Sequence, residues 1–150
     1  MILTEIVKKY LDQSVLCWLA TTDEQGQPNV SPKEIFTYHE DVILIANIAS
    51  PNSVRNIKKN GKIALSFIDI LVQKGYQVHG EAKVFNDTDN EYSHYAEKLK
   101  PMVGNKFKMH NIIVIEPFKV RPILVPSYQF YSDTTSDEKQ IEAARKLYGL

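Results

Sequence analysis

Between Ile43 and Leu65 the chain reads ILIANIASPNSVRNIKKNGKIAL, and this stretch limits the possible folds more than any other. An apolar run of strand length leads into Ser50-Pro51-Asn52-Ser53. A short helix carrying Arg55, Lys58 and Lys59 follows, and a second apolar run begins at Ile63. A strand–turn–helix–strand unit aims the free N–H groups of the first helical turn, and the positive end of the helix dipole, at whatever lies above the turn. An anion, above all a phosphate, is the natural guest. Asn52 or Ser53 fits the N-cap position, and Arg55 and Lys59, four residues apart, share a face. The same residues also describe a capped surface helix with solvated lysines, and spacing alone does not separate the two readings.

The flanking sequence reads mainly as strands. Val15–Thr22 is an apolar run of strand length. Asp23-Glu24-Gln25-Gly26 makes a turn, and 27–37 resumes as the second arm of a hairpin. Pro32 inside that arm cannot donate to a ladder, so it belongs at an edge or a bulge, where ligands often approach. Alternation places Ser31 and Lys33 on one face of this strand and Val30 and Pro32 on the other. If it lies beside the strand Val42–Ile48, a hydroxyl and a cation come next to the anion-binding turn; otherwise Lys33 is a solvated strand lysine. Further strands are expected at Ile63–Asp69, Leu71–Phe85 and Asn111–Val120. Helices are expected at 4–13, from Asp87 or Thr88 to about Lys100, and after Ser136, with an irregular aromatic segment SYQFYSD before the last. Six mostly antiparallel strands with short helices between them argue a closed or nearly closed β-barrel with helices outside, as one domain over residues 1–150.

Composition removes several function classes. Eighteen basic and eighteen acidic residues balance, so no global field favours nucleic acid or an anionic membrane. The start, MILTEIVKK, has neither the apolar length of a membrane span nor the layout of a secretion signal, so a cytoplasmic protein is expected. Cys17 is the only cysteine and lies in an apolar run, which suits a core residue better than a nucleophile. His39 falls in a turn, His79 in a strand two residues before Glu81, His94 on an outer helix and His110 before the last strand. No His-x-x-x-His or Cys/His cluster argues for structural zinc. Neither a dinucleotide fingerprint, a P-loop nor a hydrolytic triad is present.

Four segments in order, ATTDEQGQPNVSPK, VILIAN, SPNSVRNIKKNGKIALSF and YQVHGEAKV, resemble the FMN-binding split-barrel proteins related to pyridoxamine 5′-phosphate oxidase. The resemblance spans residues 14–85, with a looser match near 111–121. It implies a six-stranded antiparallel split barrel with peripheral short helices, forming a homodimer with FMN at the subunit interface. Carried over by position, Val30, Ser31, Pro32 and Lys33 run along the flavin ring and ribityl chain. Ile45, Ala46 and Asn47 touch the ring edge and ribityl, Ser50, Asn52 and Ser53 hold the phosphate, and Gln73 or Lys74 lies near the ring's polar edge. Tyr128, Phe130 and Tyr131 either cover a flavin face or pack locally.

The chain departs from this pattern in two places. Many relatives carry Arg or Lys in the loop where Pro51, Asn52 and Ser53 stand here, so phosphate charge falls to the helix N-terminus, Lys33 or Arg55. The substrate-gripping Arg-x-His element is also missing, because no histidine follows His110. That argues against vitamin B6 phosphate as substrate. The expectation is an FMN-dependent oxidoreductase acting on an unidentified small molecule, with NAD(P)H as a candidate donor and no side chain assigned as acid or base. The alternative is a non-enzymatic flavin or haem carrier.

Overall fold

The hairpin arm 27–37 is not one strand but two, and this break sets the architecture. In a computed structural model describing all residues Met1–Leu150, β1 (Cys17–Thr22) pairs with β2 (Pro28–Lys33). After Glu34 and Ile35 the chain starts β3 (Phe36–His39), which pairs with β4 (Val42–Asn47) instead. The remaining strands are β5 (Lys62–Asp69), β6 (Lys74–Phe85) and β7 (Asn111–Leu124), and the antiparallel sheet runs β2-β1-β5-β6-β7-β4-β3. The two edge strands are therefore consecutive in sequence. The sheet curls until its edges meet at Glu34–Ile35, giving a split barrel of seven strands where six were expected.

Local chemistry explains the strand ends. Asp23 turns β1 into β2 by accepting the Gln25 and Gln27 N–H groups at 2.9 and 2.8 Å, with Gly26 at φ 81°. Residues 71–73, expected in a strand, form a turn instead: the Asp69 carboxylate accepts from the Leu71 N–H, and Gln73 takes φ 57°. β7 runs on to Leu124 through Pro117 and Pro122. It can do so because β4 covers it only as far as Ile115, which leaves the rest of β7 an edge on that side. Gly75 lies so close to β5 that a Cβ there would sit 2.0 Å from the Phe67 carbonyl oxygen, so only glycine fits.

Strand β4 and the first five residues of β7, Asn111–Ile115, are buried on both faces. Ile43, Ile45, Ile113 and Ile115 point into the barrel, together with Leu19, Leu65, Phe67 and Val78. Leu44, Ala46, Ile112 and Val114 point out, against Ala96, Leu99 and Val103 of α3 (Tyr92–Val103). That double burial is why VILIAN carries no polar alternation. Pro101 lies inside the last turn of α3, which runs beyond the expected end and stops at Gly104.

Helix α1 (Glu5–Gln13) buries Val7, Tyr10 and Leu11 against the barrel, while Ile6, which shares their helical spacing in the sequence, is exposed. Leu3 is wholly buried ahead of it, and the Asp41 carboxylate accepts from its N–H at 2.8 Å. Helix α2 (Pro51–Lys59) is tied to β1: Asn56 Nδ2 donates to Thr21 Oγ1 and Asn60 Nδ2 to Thr22 Oγ1, both at 3.0 Å. Part of the aromatic segment forms a short α4 (Pro126–Phe130). Helix α5 (Asp137–Tyr148) ends the chain, capped by Ser136 and Gly149. No helix is long and apolar enough to cross a membrane.

Candidate functional site

The break between β2 and β3 opens a cleft where the edges of the sheet meet. β2 ends at Lys33, which pairs with Cys17 on β1 and turns its side chain inward. Alternation along β2 sends Ser31 to the same side and leaves Val30 58% exposed on the outer face. From the other side β4 delivers Ala46 and Asn47, then the loop 48–50 and the first turn of α2. The N-cap is Ser50 rather than Asn52 or Ser53, with Pro51 at the first helical position, where a missing N–H costs nothing.

Four of the expected residues converge here. Lys33 Nζ donates to the Ser50 hydroxyl and, at 3.3 Å, to Ser53 Oγ, while Ser31 Oγ and Ser53 Oγ lie 3.2 Å apart. Lys33 is only 5% exposed, and none of the salt bridges involves it. Burial lowers its pKa from the ordinary lysine value, the direction expected of a cation losing water. The adjoining N–H groups of Asn52 and Ser53 have no acceptor within the helix. A buried lysine, three hydroxyls and a helix N-terminus thus face one another with no negative charge among them. An anion with several oxygen acceptors fits this donor set; a cation does not.

Asn47 holds the loop in place. Its Nδ2 donates to Asn111 Oδ1 at 2.7 Å and its Oδ1 accepts from the Ser50 N–H at 2.9 Å, both asparagines being buried. Beside Lys33 runs a cleft of about 270 Å³ with an apolar wall of Pro32, Ile35, Ala46, Ile48 and Phe107, and with Glu34 as the one carboxylate on its lining. On the other side of the 48–50 loop a wider cleft of about 550 Å³ is bordered by Arg55, Lys58 and His110.

The remaining expected residues do not meet at this point. Ile45 is wholly buried in the barrel core, leaving only its backbone near the site. Asn52 lines a separate polar groove with Arg55, to which it is hydrogen-bonded at 3.2 Å. Gln73 sits in the β5–β6 turn, beside the carbonyl of Val72 that accepts from the Tyr128 hydroxyl. Conversely, Phe107 lines the cleft and was not expected there. An isolated aromatic between Lys106 and Lys108 in a loop has no period to reveal it, and the sequence carries no other signal for it.

The fold recurs in solved structures. HupZ of Group A Streptococcus is 24% identical, with a TM-score of 0.68 over 80% of this chain and 93% of its own. An FMN-binding protein from Syntrophomonas wolfei subsp. wolfei is 17% identical, with a TM-score of 0.68 over 82% and 87%. HutZ, the haem storage protein of Vibrio cholerae, is 16% identical, with a TM-score of 0.65 over 83% and 95%. No curated protein matches the chain. The family model described as Pyridoxamine 5′-phosphate oxidase matches residues 3–124, from the segment ahead of α1 to the end of β7. On that match, over a split barrel with an anion-ready cleft at its seam, the chain belongs to the pyridoxamine 5′-phosphate oxidase family.

Proposed function

We propose that residues 1–150 form one FMN-binding domain that catalyses flavin-mediated redox of a small molecule, in the cytoplasm and as a homodimer. The observation that carries this reading is the buried, carboxylate-free Lys33 held between the Ser50 and Ser53 hydroxyls at the start of α2. Such a lysine is costly without a bound anion, and a phosphate monoester supplies the missing charge.

The cofactor, when bound, supplies the electron-transfer chemistry; the protein binds, orients and shields. Lys33 and the Ser31, Ser50 and Ser53 hydroxyls hold the phosphate. Asn47 fixes the backbone of Ser50, so that its hydroxyl stays on Lys33. Pro32, Ile35, Ala46, Ile48 and Phe107 exclude water from the ring, and Val30 and Gln73 belong to parts of the site that a second subunit completes. No side chain is assigned to proton transfer. Residues 111–150 carry no Arg-x-His element, which argues for a substrate other than vitamin B6 phosphate, and NADH or NADPH is the donor to test first.

Titrating FMN into purified protein tests the reading: the flavin fluorescence should quench to one FMN per protomer, and NADH or NADPH should then bleach the bound flavin. A protein that leaves FMN fluorescence unchanged overturns it. A second reading, haem carriage, is favoured by His110 on the rim of the wider cleft with Arg55 and Lys58, an imidazole beside two cations that suit carboxylates. A Soret band on adding hemin, lost in His110→Ala, would select it.

A further inference from the structure

Two histidines that sequence places far apart, one in a turn and one on an outer helix, meet at a point used by nothing assigned above. His39 ends β3 and His94 lies in the first turns of α3. Their Nε2 atoms are 2.9 Å apart, with ring centroids at 4.6 Å and planes at 79°. The Glu40 carboxylate is the next polar group, its Oε1 lying 3.8 Å from His39 Nε2. Apart from each other and that carboxylate, neither ring has a hydrogen-bonding side-chain partner. Glu40 itself stands at φ 52°, a left-handed turn position that glycine or asparagine fills more easily.

We propose that His39 and His94 form a divalent transition-metal site, with Glu40 as a third ligand and water completing the shell. Zinc–imidazole bonds of about 2.0–2.1 Å put two nitrogens of a tetrahedral ion roughly 3.3 Å apart, so the pair has only a few tenths of an ångström to open. Two imidazoles and one carboxylate select Zn²⁺, Ni²⁺ or Cu²⁺ over Mg²⁺ or Ca²⁺. No group of three or more His, Cys, Asp or Glu side chains converges before the ion arrives. To serve as third ligand the exposed Glu40 must turn toward the ion, and three protein ligands leave open positions rather than the closed shell of a structural zinc. The bound ion clamps the β3–β4 turn to α3 and so braces the outer core formed by Leu44, Ala46, Leu99 and Val103.

The competing explanation is a plain hydrogen bond between two neutral imidazoles, and Zn²⁺ binding to the tag-free, chelator-stripped chain separates the two. Calorimetry should show one Zn²⁺ per protomer. Affinity should fall about tenfold or more in His39→Ala and in His94→Ala, since changes outside the ligand shell alone cost 10–100-fold in metal sites. Glu40→Gln should lose less, and His79→Ala and His110→Ala nothing. His94→Gln keeps a hydrogen-bonding side chain without a good metal ligand, so it separates loss of the site from loss of fold. Cu²⁺ on the same protein should give an electron paramagnetic resonance signal coupled to two imidazole nitrogens. No saturable heat with Zn²⁺, wild-type affinity in His94→Gln, or a Cu²⁺ signal from a single imidazole would each overturn the site.

Discussion

Lys33 is expensive where it stands, and the expense can be measured. Its ammonium is desolvated and meets only hydroxyls and helix N–H groups, so replacing it with methionine removes a buried charge while keeping the stem. Lys33→Met should weaken FMN binding about tenfold or more, the scale of one charge-assisted contact of 1.5–3 kcal/mol. It should leave the apo-protein equally stable or more so, read by thermal denaturation. The pH dependence has a definite sign. The folded pKa of Lys33 lies below the unfolded value of about 10.4. Between the two the unfolded chain holds more protons, so apo stability rises with pH through that window. The methionine variant should lose that rise. Asn47 is the opposite kind of residue, fully satisfied and structural. Asn47→Ala strands the Ser50 N–H and Asn111 Oδ1, and should cost about 1–3 kcal/mol in chemical denaturation, besides loosening the cleft. At this scale the sequence shows chemistry better than position. Ser31, Lys33, Ser50 and Ser53 are legible only when the family resemblance is added to alternation and a helix start, since spacing alone leaves a solvated reading open and β2 pairs with β1 rather than β4. Phe107 is not, because nothing local marks a loop aromatic as a wall.

Among the elements, the C-terminal helix is held by a small polar latch. Asp137, at the start of α5, pairs with Lys74 Nζ at 2.8 Å and accepts from the Tyr128 hydroxyl at 3.2 Å, while Lys74 Nζ sits 4.6 Å from the centre of the Tyr128 ring. The hydrogen bond to Lys74 holds the Asp137 carboxyl below its ordinary range, and the same bond raises Lys74. Burial, with Asp137 beside it, pushes the Tyr128 hydroxyl up to about 12. A lowered acid stabilises the fold above its unfolded pKa of about 3.9 and stops doing so as pH falls through the folded value; a raised lysine stabilises below about 10.4 and fails as pH climbs past its folded value. The latch therefore works between those limits. Both partners are partly exposed, so Asp137→Asn should cost only about 0.2–1 kcal/mol at neutral pH and nothing in strong acid. Its clearer signature is faster limited proteolysis after Leu124. The sequence announces α5 through Ser136, Asp137, Glu138 and Gly149, yet its docking partner is hidden, since Lys74 lies 63 residues earlier. The strand count is different, because it has a local signal: the run 27–37 alternates only as far as Lys33, and the paired Lys33-Glu34 and Ile35-Phe36 break the period where the chain leaves one edge of the sheet for the other.

At the scale of the whole molecule, the outer face of β1 and β2 leaves Trp18 48% and Val30 58% exposed on neighbouring strands, an apolar surface of the kind that a second copy covers by isologous pairing. Trp18→Glu should therefore shift the elution of the protein from dimer to monomer, and FMN affinity should fall with it if the flavin site is shared between subunits. The seam carries a different consequence. Adjacent strands can part only by tearing a ladder, whereas the edge strands β2 and β3 are joined by the two residues Glu34 and Ile35, with the bond from the Ala46 N–H to the Ile35 carbonyl (3.0 Å) beside them. A ring interrupted once concentrates its compliance at the interruption. Slow breathing of this protein therefore has a direction: it widens at the cleft while the remaining circumference stays still. A guest seated there should act as a staple, slowing amide exchange in β2, β3 and the first turn of α2 while leaving the rest of the barrel unchanged.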